Sequence, residues 1–501
     1  MPTASTEAGI VARVLVRPRE YFDSVFLMRV SESLARLPGV RDAAAVMGTA
    51  ANVTRLVELG ISPADVARAQ PDDLVVAIRA ATMEAADAAI QQLEELLTAE
   101  PPTPVVKART IDEAVAALPS ANVAVISVPG EHAAREAHRA IERGLHAFVF
   151  SSNVPVDEER ALKEEAARRG LLVMGPDCGT AIVRGIGLGF ANAVRRGRIG
   201  VVGPSGTGIQ EVTSLVHQLG VGISHALGTG SHDVTDAIGG LSTVAALGAL
   251  AADDETDLLV LVSKPPGPRT RARLDDVLRH CRKPVVTCIL GEGGSEIAGE
   301  RVDTFEDAAM HAVAHVIGGP PVLLDPPGVA QSLARARATF AATQRALRGL
   351  FAGGSFAVQA WRLLRASGVA LAPHAVVDLG AEMFTAGRPH PMIDSRLRRE
   401  RIAAAGRDAE VAVVLFDVIL GYGAASDPAG DLVEAIAAAQ AEAARAGRQL
   451  AFVASITGTD ADPQGLARQH GTLAEAGVIV LPTTARAARA AASLVGGPSY
   501  E

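Results

Sequence analysis

Two stretches of this chain carry residues that could hold an anion, in the same arrangement. The first, at 200–211, reads GVVGPSGTGIQE, and the second, at 349–360, reads GLFAGGSFAVQA. Each passes from an apolar strand-like segment through a glycine-and-hydroxyl turn into a helix-like segment. In both, a Gly-hydroxyl pair (Gly206-Thr207, Gly354-Ser355) stands fourteen residues ahead of a Gly-Val, the length of one short helix and the return to a strand. Free N–H groups at a helix start, with roughly half a unit of positive dipole charge, make an anion site. Glycines let the backbone approach closely and hydroxyls add donors. Ser205, Gly206, Thr207 and Gly208 in the first copy, and Gly353, Gly354 and Ser355 in the second, are the candidate phosphate-binding residues. The first copy is not a Walker A loop, because Ile209-Gln210 stand where Lys-Ser/Thr is required.

Three side chains are candidates for proton chemistry. Glu211 falls in the first turns of the helix after the first loop, where a carboxylate either settles against the dipole or points back at a bound group. His232, in Gly228-Thr229-Gly230-Ser231-His232-Asp233, is either a solvated turn residue or an acid–base group. Asp417 ends an apolar strand of the second copy. Asn153, Asp177, Gly230, Asp233 and Asp460 follow strands and are the candidate substrate contacts, since parallel sheets bind ligands at carboxyl strand ends. For the aspartates of the second copy, turn and helix-cap chemistry is an equal alternative. No metal site is expected.

Composition limits the partners. A formal charge of −9 and 3% aromatics leave neither a basic footprint nor stacking platforms for nucleic acid. No run reaches the ~18 apolar residues of a membrane span. The opening MPTASTEAGI shows no basic segment followed by an apolar run, so no signal peptide is expected. Three cysteines, none in a CxxC pair, fit a reducing cytoplasm.

The elements that would position these residues alternate strand and helix throughout, which predicts a parallel α/β architecture. The expected organisation is a small amino-terminal α/β domain at 1–100, a linker at 100–104 and a Rossmann-like domain at 105–195. The first copy of the repeat follows at 196–317, then a linker at 318–347, with helix over 329–348, and the second copy at 348–501. Strands are predicted at 11–16, 43–47 and 74–79 in the first domain, and at 370–377, 411–418, 451–456 and 478–481 in the last.

At these residues the chain resembles a known group. Residues 109–290 look like the α subunit of succinyl-CoA synthetase, with MGPDCG, GVVGPSGTGIQE and KPVVTCIL in matching places. Residues 349–494 look like the carboxyl-terminal domain of its β subunit, with GGSFAVQA at the second phosphate helix. The fused order, with DVILGYGAASDPAG and TGTDADPQGLARQ, is similar to FdrA-type proteins. The resemblance implies a Rossmann-like, CoA-binding-type domain followed by two flavodoxin-like domains. The chain departs from the synthetases in three ways. The loop Gly291-Glu292-Gly293-Gly294-Ser295-Glu296 has no histidine to phosphorylate, no CoA-holding glycine loop precedes Arg109, and no nucleotide domain lies between the halves. The FdrA resemblance implies a cytoplasmic, oligomeric carbamoyltransferase working with companion subunits in purine breakdown. It would convert oxalurate and phosphate to oxamate and carbamoyl phosphate, with phosphate as substrate and no cofactor required. An acyl-CoA synthetase subunit using CoA, and a non-catalytic metabolite-binding subunit, are the alternatives.

Overall fold

Strand Arg196–Gly203 is buried over its last five residues, and the unbroken apolar run belongs to a strand covered on both faces. It lies inside a seven-stranded sheet whose order is Glu300–Val302, Val285–Ile289, Leu258–Ser263, Arg196–Gly203, Ile223–Gly228, Thr180–Val183 and Ile186–Gly189. The first five are parallel, and the last two form an antiparallel hairpin on the edge. The structure is a computed structural model. It describes residues 10–20, 22, 24–98, 108–291, 297–372, 374–385 and 388–500; the expected linker at 100–104 and most of the loop at 291–296 lie outside them.

A second, five-stranded sheet is parallel throughout, in the order Val376–Asp378, Ala346–Phe351, Val411–Ile419, Ala451–Thr457 and Ile479–Leu481. Numbered along the chain within each copy, the parallel strands of both sheets follow the order 2-1-3-4-5. That is the flavodoxin-like winding, whose switch point lies between strands 1 and 3. Both glycine loops leave strand 1 and therefore open at the switch point of their own sheet. A third parallel sheet, Val123–Ile126, His146–Val149 and Val173–Met174, is flanked by helices Gly130–Glu142 and Val156–Arg168 and gives the Rossmann-like half.

The chain divides into two compact units, residues 1–109 with 385–389, and residues 110–384 with 390–501. The first holds an antiparallel sheet in the order Val11–Arg17, Leu74–Ala80, Val40–Met47. Helices Ser24–Ala35 and Met83–Thr98 pack on one face through Leu27, Val30, Leu34 and Leu93, and Leu56, Ile61 and Val66 cover the other. No helix among the described residues is long and apolar enough to cross a membrane.

Two expectations for the joining segment fail. Helix Val329–Ala338 stops well short of 348, and strand Ala346–Phe351 already belongs to the second sheet. The run AQSLARARATFAATQRALRG has high helix propensity. Gln344 overrides it: its amide donates to the Val411 and Gln449 carbonyls at 2.8 and 2.6 Å, and its oxygen accepts from Ala341 N–H at 3.1 Å. The strand expected at 370–377 pairs only over Val376–Asp378, because a turn from Ala372 to Ala375, with His374 at φ 60°, precedes it. The edge hairpin was not anticipated.

Close contact between strands 1 and 3 of the first sheet requires a glycine. A Cβ on Gly203 would fall 1.8 Å from the Val262 carbonyl oxygen, a backbone atom that cannot rotate away. Gly203→Ala is expected to lower the unfolding free energy by at least about 1–3 kcal/mol, the usual cost of overpacking, in urea unfolding followed by circular dichroism. An unchanged midpoint would show that the strands have slack there.

Candidate active site

The two glycine loops meet. Ser205 is the N-cap of helix Gly206–Gln218 and accepts from Gly208 N–H at 3.0 Å. Its hydroxyl also donates to the Ser355 hydroxyl at 2.6 Å, in the first turn of helix Gly354–Ala366. The reverse pairing is matched: a Cβ on Gly353, the cap of the second helix, would lie 2.9 Å from Thr207 Oγ1. The cap of each helix thus touches the second residue of the other, and two positive dipole ends converge.

Each loop is held differently. The first has a serine cap; the second has a bare glycine cap without a side-chain bond. Asp417 replaces the missing cap, its two oxygens accepting from Ala352 and Gly353 N–H at 2.8 Å each. Arg398 closes this arrangement with bonds to the Asp417 carbonyl at 2.6 Å and carboxylate at 3.0 Å. Asp417 is fully buried with three donors on its carboxylate, so it shapes the loop and offers no free oxygen to a substrate.

Around the junction stand side chains the sequence analysis passed over. Thr180 Oγ1 is buried without a hydrogen-bond partner among the described residues, 3.6 Å from where a Cβ on Gly206 would project. Asp378, at the end of the second strand of copy two, has Oδ2 2.4 Å from a would-be Cβ on Gly354. Lys264 follows the strand Leu258–Ser263 and is exposed. Its charge acts on both Asp378 and Asp177. Loss of solvation pushes the Asp177 carboxyl upward, against a Ser231 hydrogen bond and the Lys264 and His232 charges. The sequence signals were a polar residue one step past MGPDCG and an aspartate closing Val-Val-Asp-Leu-Gly.

The remaining candidates separate. His232 stands at the rim, Nδ1 3.3 Å from Glu159 Oε2 and its side chain 41% exposed. Gly230 is required by a backbone crossing: at φ 89° its Cβ would meet the Pro176 oxygen at 2.2 Å. Asp233 caps helix Leu241–Ala252 through Ser242 and Thr243 N–H at 3.1 and 2.9 Å and pairs with buried Lys163 at 2.8 Å. That is a structural role, unlike the substrate contact expected for it. Asn153 is exposed at φ 60°, its backbone packed against Gly130 in the Rossmann-like half. Asp460 pairs with His217 at 2.7 Å, at the far end of the helix that begins at Gly206, roughly 16 Å along its axis from the loop. The structure does not bring it to the junction.

Glu211 also turns elsewhere. It occupies the same place in the first copy as Gln359 in the second, five residues past Gly206 and Gly354. Glu211 Oε1 accepts from Thr484 N–H at 2.9 Å, the start of helix Thr484–Leu494. Gln359 Oε1 accepts from Phe305 N–H at 2.9 Å, the start of helix Phe305–Ile317. Each copy therefore caps the last helix of the other. Burial lifts the Glu211 carboxyl to about 8, against the Thr484 hydrogen bonds, and its Oε2 has no partner among the described residues.

Among the described residues His225, Asp253 and Glu255 bring one possible metal ligand each within 4.8 Å of one another. Arg196 pairs with Glu255 at 2.5 Å and Thr256 donates to Asp253 at 2.6 Å, so both carboxylates already have protein partners.

Comparison with known proteins accords with this architecture. A family model described as CoA-ligase matches residues 350–494, and one described as AllF, heavy metal-associated domain, matches residues 10–115. The uncharacterized protein YahF of Escherichia coli (strain K12) is 39% identical over 492 residues, 93% of this chain and 95% of the relative. The chain belongs to the YahF family of succinyl-CoA synthetase-like proteins. The α subunit of succinate–CoA ligase (ADP-forming) from Methanothermobacter thermautotrophicus is 28% identical over 223 residues, 41% of this chain and 73% of the relative. A dinucleotide-forming acetyl-coenzyme A synthetase from Ca. Korarchaeum cryptofilum, in complex with phosphate and ADP, aligns with 74% of this chain and 82% of its own, at 18% identity and TM-score 0.29. Residues 10–115 contain neither cysteine nor histidine, so the thiolate and imidazole ligands of a heavy-metal site are lacking there.

Two outcomes test these assignments. Between its unfolded value near 4.5 and about 8, Glu211 keeps in the native state a proton that the unfolded chain releases, so stability falls as pH rises across that window. Glu211→Gln keeps the acceptor for Thr484 and stays neutral; its unfolding free energy should lose that part of the pH dependence and exceed wild type at pH ~8. Lys163→Ala leaves Asp233 and Glu159 buried without their cation and should destabilise by about 3–5 kcal/mol in urea melts, whereas a loss below ~1 kcal/mol would show that the ion pair is dispensable.

Proposed function

We propose that this chain is the phosphate-binding subunit of a carbamoyltransferase that cleaves oxalurate with phosphate, working with companion subunits. The observation that carries the reading is the Ser205–Ser355 contact, which joins two helix starts beside glycine backbone and the unpartnered Thr180 hydroxyl. Two convergent dipole ends with donors at hand suit a tetrahedral oxyanion.

In this reading a phosphate oxygen attacks the ureido carbonyl carbon of oxalurate, and the bond from that carbon to the oxamate nitrogen breaks. The proton of hydrogen phosphate passes to the departing nitrogen, giving carbamoyl phosphate and oxamate. His232, backed by Glu159, is the rim group suited to carry that proton, and Lys264 is placed for the substrate carboxylate. Asp417 and Glu211 act as positioning residues for the loop and the domain pair. The developing oxyanion requires donors that are already oriented, which backbone amides supply without reorganisation.

The family implies CoA, and the residues of the Rossmann-like half do not fit its diphosphate. Helix Gly130–Glu142 opens with Glu131, and helix Val156–Arg168 opens with Asp157, Glu158 and Glu159. A Cβ at Gly130 would meet the Ser152 carbonyl oxygen at 2.3 Å, so backbone oxygens crowd that helix start. Both features repel a diphosphate where a glycine turn would attract one. The CoA-ligase match over 350–494 favours acyl-CoA synthesis as the second reading.

Reconstitution with the neighbouring-gene proteins separates these. Oxalurate loss should require phosphate and ignore CoA. Thr207→Leu, which fills the junction, should weaken phosphate dependence by about 10–100-fold while the thermal melt is retained. CoA-dependent thioester formation would establish the second reading, and ligand binding without turnover by the complete mixture would leave a non-catalytic subunit.

A further inference from the structure

We propose that Asp378 belongs to the anion site and meets the bound oxyanion as a carboxylic acid, so that anion uptake carries one proton with it. This rests on reading the paired loops as an oxyanion site.

Asp378 closes strand Val376–Asp378, which pairs with Ala346–Phe351 so that Asp378 lies beside Phe351, just before the glycine loop. Its Oδ1 is fixed by Gly380 N–H at 2.9 Å. Its Oδ2 faces the first residue of helix Gly354–Ala366, near enough that a side chain on Gly354 would collide with it at 2.4 Å. A carboxyl group therefore sits at the helix start where the second loop would receive an anion. Among the described residues it makes no ion pair within 4 Å, and the first turn of that helix carries no acidic residue.

The charged groups around it do not settle it as an anion. Asp417 faces it from strand Val411–Ile419, Asp177 from the loop after Met174, and Lys264 from the loop after Ser263. His390, whose Nε2 lies 2.6 Å from a would-be Cβ on Gly380, is partly buried, and loss of solvation pushes it down to about 4, so it is neutral. Burial, aided by Asp417 and Asp177, lifts the Asp378 carboxyl to about 6, against the Gly380 bond and Lys264. An ionised Asp378 and a dianion cannot share one helix start, because like charges a few ångströms apart repel strongly in a partly buried site. Protonation removes that repulsion and turns Oδ2 into a donor aimed at the anion.

Sulfate is the probe, since it does not titrate across the range used. Calorimetric titration of the full chain from pH ~5 to ~8 should show sulfate affinity falling about tenfold per pH unit above ~6. Asp378→Asn keeps the acceptor for Gly380 and should bind with a flat profile at or above the wild-type low-pH affinity. Asp378→Ala should share the flat profile, which guards against a fault specific to the amide. A slope that survives in both variants, or a wild type with no slope, overturns the proposal while leaving the oxyanion site intact. Failure of wild type and variants alike to bind sulfate or phosphate overturns the oxyanion site, and this proposal with it.

Discussion

Two helix starts are pressed together at the centre of the larger unit, and dipoles of like sign resist that arrangement. The structure offsets the repulsion by making each copy complete the other. Ser205 reaches Ser355, Thr207 lies on Gly353, Glu211 caps the helix at Thr484, and Gln359 caps the helix at Phe305. These four contacts follow one pseudo-two-fold pattern. A group that brings negative charge to the junction relieves a strain already present, which is a physical reason for such a pair of domains to bind an anion.

The two copies have diverged within that pattern, and the differences assign roles. Where copy one caps its loop with Ser205, copy two has Gly353 and relies on Asp417 from the neighbouring strand, itself bracketed by Arg398. Where copy one places the acid Glu211, copy two places the neutral Gln359, and both make the same bond to a helix start. The amide does this without a titrating proton, so the acid is the member of the pair that adds a pH dependence. Asp378 at the second helix start has no acidic counterpart described at the first, where Thr180 brings a hydroxyl instead. The junction is symmetric in backbone and asymmetric in its side chains.

Membership of the YahF family fixes the scaffold and leaves the reaction open. The scaffold's histidine position is vacant of histidine in this sequence, and the helix starts of the Rossmann-like half are acidic. What persists is the pair of glycine loops that meet at their helix starts.

The sequence by itself determined the alternation of strands and helices, the duplicated loop and its spacing. Strand hydrophobicity, glycine turns and helix length are local properties that a linear pattern records. It also showed which chemistry lacked residues, since an absent histidine or thiol needs no coordinates. Only the tertiary structure decided which side chains meet. Asp417 and Glu211 were open to acid–base roles on sequence alone, yet each is bonded to backbone N–H from an element distant in the chain, and Asp233 caps the helix that follows it. Thr180, Asp378 and Lys264 gave no comparable signal, because only the sheets bring them near the loops: Asp378 and Lys264 at the ends of parallel strands, Thr180 at the start of the antiparallel edge hairpin. Gln344 makes the same point for the fold: helix propensity is a local preference, and hydrogen bonds to backbone carbonyls 67 and 105 residues away overrule it.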